Sequence, residues 1–160
     1  TAVDLHSYLI KNLLQHQKQY NALMADETLV QGAISETLRY ESSGKTGLAR
    51  YASEDLEIQG HQIKKGQMVQ LITSTAGMDP LIYHDPRTFD IKRDHDKSIS
   101  FGQGPHYCIG VTLVRSQTEV MLKELFKRFP NLSLGDDVVY DYDHHNARRM
   151  DVMTVKTNIN

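Results

Sequence analysis

The stretch Phe101-Gly102-Gln103-Gly104-Pro105-His106-Tyr107-Cys108-Ile109-Gly110 frames the only cysteine of the chain with glycines at 102, 104 and 110. Glycine accepts backbone conformations that a Cβ forbids, and it lets the main chain come close to a bulky partner. Downstream, Leu113, Val114, Val120, Met121, Leu125, Phe126 and Phe129 recur at three- and four-residue steps, which predicts one amphipathic helix from Ile109 to Phe129. Cys108 then stands at the helix N-terminus, where unpaired N–H groups and the positive end of the dipole favour an anionic sulfur. A lone cysteine is most often a small buried hydrophobe. The glycine frame and the nearby His106 point instead to a thiolate presented to a metal.

Length and composition set the surroundings for that thiol. At 160 residues the chain fits about one domain and is long enough to bury a sizeable core. With 39% hydrophobic and 24% charged residues and a net charge of −2, it has the balance of an ordinary globular protein. Basic and aromatic residues do not interleave as single-strand binding requires, so no nucleic-acid partner is expected. No stretch nears the roughly 18 apolar residues of a membrane span, and no signal segment is visible at the start. A single cysteine excludes an internal disulfide and a multi-cysteine zinc site, so a reducing, cytoplasmic setting is the expectation. The apolar pattern Val3, Leu5, Leu9, Ile10, Leu13, Leu14 begins at once after Thr1, as expected of a piece of a longer chain.

That first helical region should close at Leu23-Met24-Ala25-Asp26, with Asp26 as the N-cap of a helix running to about Tyr40. Leu29, Val30, Ala33, Ile34, Thr37 and Leu38 share one arc of it and leave Glu36 and Arg39 at the edge, within reach of each other. As a surface pair those two would contribute only a few tenths of a kcal/mol. From Leu48 to Thr73 alternation and the turns Gln59-Gly60 and Lys64-Lys65-Gly66 predict a small antiparallel sheet. Asp79-Pro80 and Asp85-Pro86 punctuate an irregular stretch through Arg93, and Leu132–Leu134, Val138–Tyr140 and Val152–Val155 predict short terminal strands. Asp94-His95-Asp96 and His144-His145 carry metal-ligating types, but neighbours on an extended chain point apart. They are read as solvated loop residues. The fold class is mainly α with small antiparallel β-sheets (α+β).

The pattern Phe-Gly-x-Gly-x-His-x-Cys-x-Gly, filled here by Phe101, Gly102, Gly104, His106, Cys108 and Gly110, resembles the haem-binding loop of the cytochrome P-450 monooxygenases. The resemblance implies that Cys108 is the axial thiolate to the iron of haem b (iron protoporphyrin IX), that His106 hydrogen-bonds a propionate, and that Phe101 packs beside the porphyrin. Glu36 and Arg39 are similar to the family's Glu-x-x-Arg motif, which implies a buried structural network completed by an arginine of the irregular stretch, Arg93 in preference to Arg87. Arg50 resembles an arginine that pairs with a propionate. Leu13-Leu14-Gln15-His16 matches a run at the end of the family's central helix. On that register Thr1 takes the place of a threonine that aids proton delivery during oxygen activation. The turn from Asp141 to Arg149 corresponds to one that meets substrate, which makes His144, His145 and Asn146 candidates for that contact. Gln17, Ser42-Ser43-Gly44 and Gln117 depart from the family's usual residues.

Members of the family are longer than this chain, and the resemblance covers their C-terminal part. Residues 1–160 are therefore expected to be the C-terminal haem-binding portion of a single larger domain. The implied reaction is insertion of one oxygen atom from O2 into a small organic substrate, by hydroxylation or epoxidation. Electrons would come from a ferredoxin or flavodoxin and its NAD(P)H reductase, with Arg115, Lys123, Lys127 and Arg128 as docking charges. A haem-thiolate peroxygenase using hydrogen peroxide, a non-catalytic haem-binding protein and a haem-free binding domain are the alternatives.

Overall fold

The N-terminal helical region divides at His16, whose φ of −114° and ψ of 73° leave the helical range. Its ring Nδ1 donates to the Asn12 carbonyl at 2.8 Å, beside the His16 backbone N–H that bonds the same oxygen at 3.0 Å. The computed structural model describes residues 2–44, 47–143 and 147–157. It places helix α1 over Ala2–Gln15 and α2 over Gln17–Ala25 on either side of this break. Asp26 follows as a cap, its Oδ1 accepting from the backbone N–H and the hydroxyl of Thr28 at 3.0 and 2.6 Å. A single 3-10 turn, Glu27–Leu29, then leads into α3, Val30–Tyr40.

One apolar cluster joins these elements. Leu5, Leu9 and Leu13 of α1, Leu23 of α2 and Ala33 and Ile34 of α3 meet Phe89 and Ile91 of the irregular stretch. Leu122 and Phe126 of α5, Val111–Arg128, close it from the other side. The face of α5 differs from the expectation. Leu113 and Val120 lie on an arc roughly opposite Thr118 and are 63% and 62% exposed, whereas Thr118 and Leu122 are buried. Seven-residue spacing placed Leu113 and Val120 on a common arc, but it is the wrong arc for the core.

The expected small sheet is two separate two-stranded antiparallel sheets. Strand β1, Leu48–Tyr51, pairs with β4, Met68–Leu71, and so sets Arg50 opposite Val69. Between them β2, Leu56–Ile58, and β3, His61–Ile63, form a tight hairpin. Its turn residues Gln59 and Gly60 have φ of 49° and 80°, the doubly positive pattern that matches strand twist. A short helix α4, Thr73–Ala76, follows β4. The runs at 132–134 and 138–140 belong to one strand, β5, Ser133–Asp141, which pairs with β6, Arg149–Lys156. A register shift between Leu134 and Val138 explains why they read as two. Gly135 lies in that shift, where a Cβ would strike the Thr154 side chain and leave no room for a residue that marks a strand.

Gly32 positions the site. A Cβ there would strike the carbonyl oxygen of Ile91, a backbone atom in the stretch that leads to the cysteine loop. Gly32→Ala is therefore expected to force α3 and that stretch apart and to cost about 1–3 kcal/mol, read as a lower urea midpoint. An unchanged midpoint would show that the close approach is dispensable.

Candidate functional site

Gly102 and Gly104 have φ of 76° and 73°, and these two left-handed residues wind the chain back on itself. The Cys108 N–H then reaches the Phe101 carbonyl at 3.0 Å, while Tyr107 N–H bonds Gly104 O at 3.0 Å. Residues 104–106 form one 3-10 turn, and Gly110 caps the start of α5. A Cβ at Gly110 would lie 3.8 Å from the Cys108 sulfur, so glycine keeps that side of the sulfur open. The thiol is free and exposed. Beside it Ile109 is 102% exposed, and Leu113 stands uncovered one turn along α5. The sulfur thus stands exposed among bare apolar side chains.

Phe101 is half-buried, with Tyr107 edge-on at 6.4 Å and the Arg115 guanidinium 5.4 Å from its ring centre. His106 and Arg50 are exposed, and the Arg50 Nη1 donates to the Ala49 carbonyl at 2.9 Å. Both offer N–H donors to an anionic group. Thr1, His144, His145 and Asn146 lie outside the described residues.

Below the loop, Glu36 and Arg39 are 0% and 1% exposed, far from the edge position that the helix pattern assigns them. Arg39 Nε and Nη2 grip the two carboxylate oxygens of Glu36, each at 2.7 Å. The rest of the guanidinium donates to the carbonyls of Gly77 and Pro86 at 2.7 Å and Thr88 at 3.1 Å. Glu36 Oε1 also accepts from the Asp90 N–H at 2.8 Å and from Arg93 Nε at 3.3 Å. Arg93 in turn bonds the carbonyls of His84, Asp85 and Thr88, whereas Arg87 is exposed. Two charges removed from water are tolerated only when their remaining donors and acceptors are satisfied. Here the loop backbone supplies those partners, so the ion pair fixes an irregular stretch that has no ladder of its own.

His95 is not the solvated loop residue its neighbours suggest. Its side chain is 12% exposed, with Nε2 3.6 Å from Glu36 Oε2. A second polar cluster carries no motif: the buried Lys11 pairs with the Glu41 carboxylate and donates to the Tyr140 hydroxyl at 2.9 Å. Tyr8 donates to the Arg148 carbonyl at 2.8 Å, and burial pushes its phenol up. Together they tie α1 to the β5–β6 pair. A lysine in the apolar run Leu9–Leu14 was the available signal. Of the docking candidates, Arg115 bonds Gln31 and Ser35, Lys123 pairs with Glu27, and Arg128 pairs with Glu124.

Among the described residues no group of three His, Cys, Asp or Glu side chains could hold a metal ion. The sequence model of the cytochrome P-450 family matches residues 10–153. The chain belongs to the cytochrome P-450 family. It is 34% identical over 155 residues to the epothilone C/D epoxidase of Sorangium cellulosum, across 97% of this chain and 37% of that protein. To the vitamin D3 dihydroxylase of Streptomyces griseolus it is 40% identical over 135 residues, across 84% of this chain and 33% of that protein. The crystal structure of an epothilone D-bound cytochrome P-450 superposes with a TM-score of 0.94 at 34% identity, over 100% of this chain and 40% of that one. The chain thus spans about a third of the length of the curated relatives it matches. The P-450 cofactor is a haem, and the open sulfur, its bare apolar flank and the exposed N–H donors of His106 and Arg50 fit that group in chemistry. Among the described residues no helix is long and apolar enough to cross a membrane.

Proposed function

We propose that the complete protein is a haem-thiolate monooxygenase, and that residues 1–160 form the C-terminal portion of its single haem-binding domain. The exposed thiol of Cys108, held by a backbone bond to Phe101 in a glycine-wound loop, is the observation that carries this reading. Bound haem b supplies the chemistry of dioxygen reduction and C–H or C=C oxidation. Cys108 would hold the haem iron through its sulfur. Gly102 and Gly110 keep the loop close to the porphyrin, and Phe101 shields the sulfur. His106 hydrogen-bonds a propionate and Arg50 pairs with a propionate, the arginine from an exposed strand. Glu36, Arg39 and Arg93 act at a distance by fixing the stretch before the loop. Thr1 relays protons on the oxygen side.

The substrate is a small organic molecule, in keeping with relatives named an epoxidase and a dihydroxylase. Electrons come from a ferredoxin or flavodoxin with its NAD(P)H reductase, and a free exposed thiol suits a reducing cytoplasm. The test is turnover by the complete, haem-loaded protein. Product formed from O2 with NAD(P)H, redoxin and reductase supports the proposal, and product formed only with hydrogen peroxide overturns it in favour of a peroxygenase.

A further inference from the structure

His95 lies between the Glu36–Arg39–Arg93 network and a polar cavity of about 280 Å3 lined by His95, Ser35, Ser98, Ser100 and Arg115 among others. Neither ring nitrogen has a hydrogen-bond partner among the described residues. The charged groups around it are Glu36 and Arg39 of α3, Arg93, Asp94 and Asp96 of its own segment, and Arg115 of α5 across the cavity. Two guanidiniums already surround the single Glu36 carboxylate. A protonated imidazole would add a third positive charge beside that one carboxylate, with Nε2 3.6 Å from Glu36 Oε2 and Nδ1 without an acceptor among the described residues.

We propose that His95 is an acid-sensitive latch: while neutral it lets the network hold the segment that leads to Cys108, and its protonation releases that segment. Backbone bonds transmit the release, because Ser98 N–H bonds His95 O at 2.9 Å, Gly102 N–H bonds Ile99 O at 2.9 Å and Cys108 N–H bonds Phe101 O at 3.0 Å. The cavity gives water a route to the ring.

Burial, reinforced by Arg39 and Arg93 and opposed by Glu36 and Asp94, holds His95 below the usual 6.5. A histidine lowered in this way binds fewer protons in the folded state than in the opened one. Its contribution to closure is complete above pH 6.5 and is lost as pH falls from 6.5 toward the folded value.

The test is hydrogen exchange at the Gly102 and Cys108 amides of the complete protein between about pH 7.5 and about pH 5, corrected for intrinsic exchange. Opening in the unsubstituted protein should rise below pH 6.5, toward about tenfold per pH unit. His95→Gln and His95→Phe should flatten that rise, whatever their absolute stability. A flat profile in the unsubstituted protein, or the same rise in both variants, would overturn the latch. The inference rests on the proposed function only for the role of Cys108. The ferrous–CO spectrum of the same samples tests that role separately, and the exchange profile decides the latch in either case.

Discussion

Cys108→Ser is expected to abolish the shifted ferrous–CO absorption band of the complete protein while leaving its fold unchanged. The two halves of this expectation come from different observations. The thiol is exposed and belongs to no apolar cluster, so exchanging sulfur for oxygen removes little packing and should cost no more than about 0.5 kcal/mol. The Cys108 N–H bond to Phe101 is made by the backbone, and a serine keeps it. What changes is the donor atom. A thiolate is a soft, electron-rich axial ligand, and a serine hydroxyl stays protonated near neutral pH and binds iron weakly. The expected loss is therefore complete for the band and within a few degrees for the thermal midpoint. An unchanged band in the serine variant would remove Cys108 from the iron, and a collapsed midpoint would show that the sulfur has a packing role the structure does not give it.

The loop was legible because its requirements are local. Positive φ at Gly102 and Gly104 favours glycine at those places, and such demands print directly into sequence. The apolar arcs of α1 and α3 were legible for the same reason, since Leu5, Leu9 and Leu13 and then Ala33 and Ile34 repeat at helical steps and are buried, although Val3 of the same α1 pattern is exposed. What sequence hid depends on distant partners. The break at His16, where φ is −114° and ψ is 73°, interrupts a run whose apolar pattern otherwise propagates as helix. On α5 two apolar arcs compete, and Leu122 and Phe126 go inward to the cluster, with Tyr20 edge-on to Phe126 at 4.9 Å, while Leu113 stays bare. His95 sits between aspartates, the composition of a solvated turn, yet the fold presses it against Glu36. Lys11 and Glu41 are far apart in sequence and find each other only through the α1 and α3 packing.

Arg39→Leu is expected to be the most damaging single substitution away from the loop. Read as a helix-surface pair, Glu36 and Arg39 contribute a few tenths of a kcal/mol. Full burial changes the magnitude by an order. Leucine leaves the Glu36 carboxylate buried with only Arg93 and the Asp90 N–H, and it strips donors from the carbonyls of Gly77, Pro86 and Thr88. Removing one partner of a buried pair costs about 3–5 kcal/mol, a large share of the roughly 5–15 kcal/mol that keeps a domain folded. Arg39→Lys should recover only part of this, because one ammonium cannot span both Glu36 oxygens and three carbonyls at once. The exposed pair Arg128 and Glu124 provides the internal control: Arg128→Ala should shift stability by no more than about 0.5 kcal/mol. Urea unfolding of the complete protein measures all three. A midpoint for Arg39→Leu equal to that of Arg128→Ala would mean that the network is not what holds the stretch before Cys108. The steep order Leu, Lys, then the surface control would place the stability of the cysteine loop in a carboxylate two elements away from it.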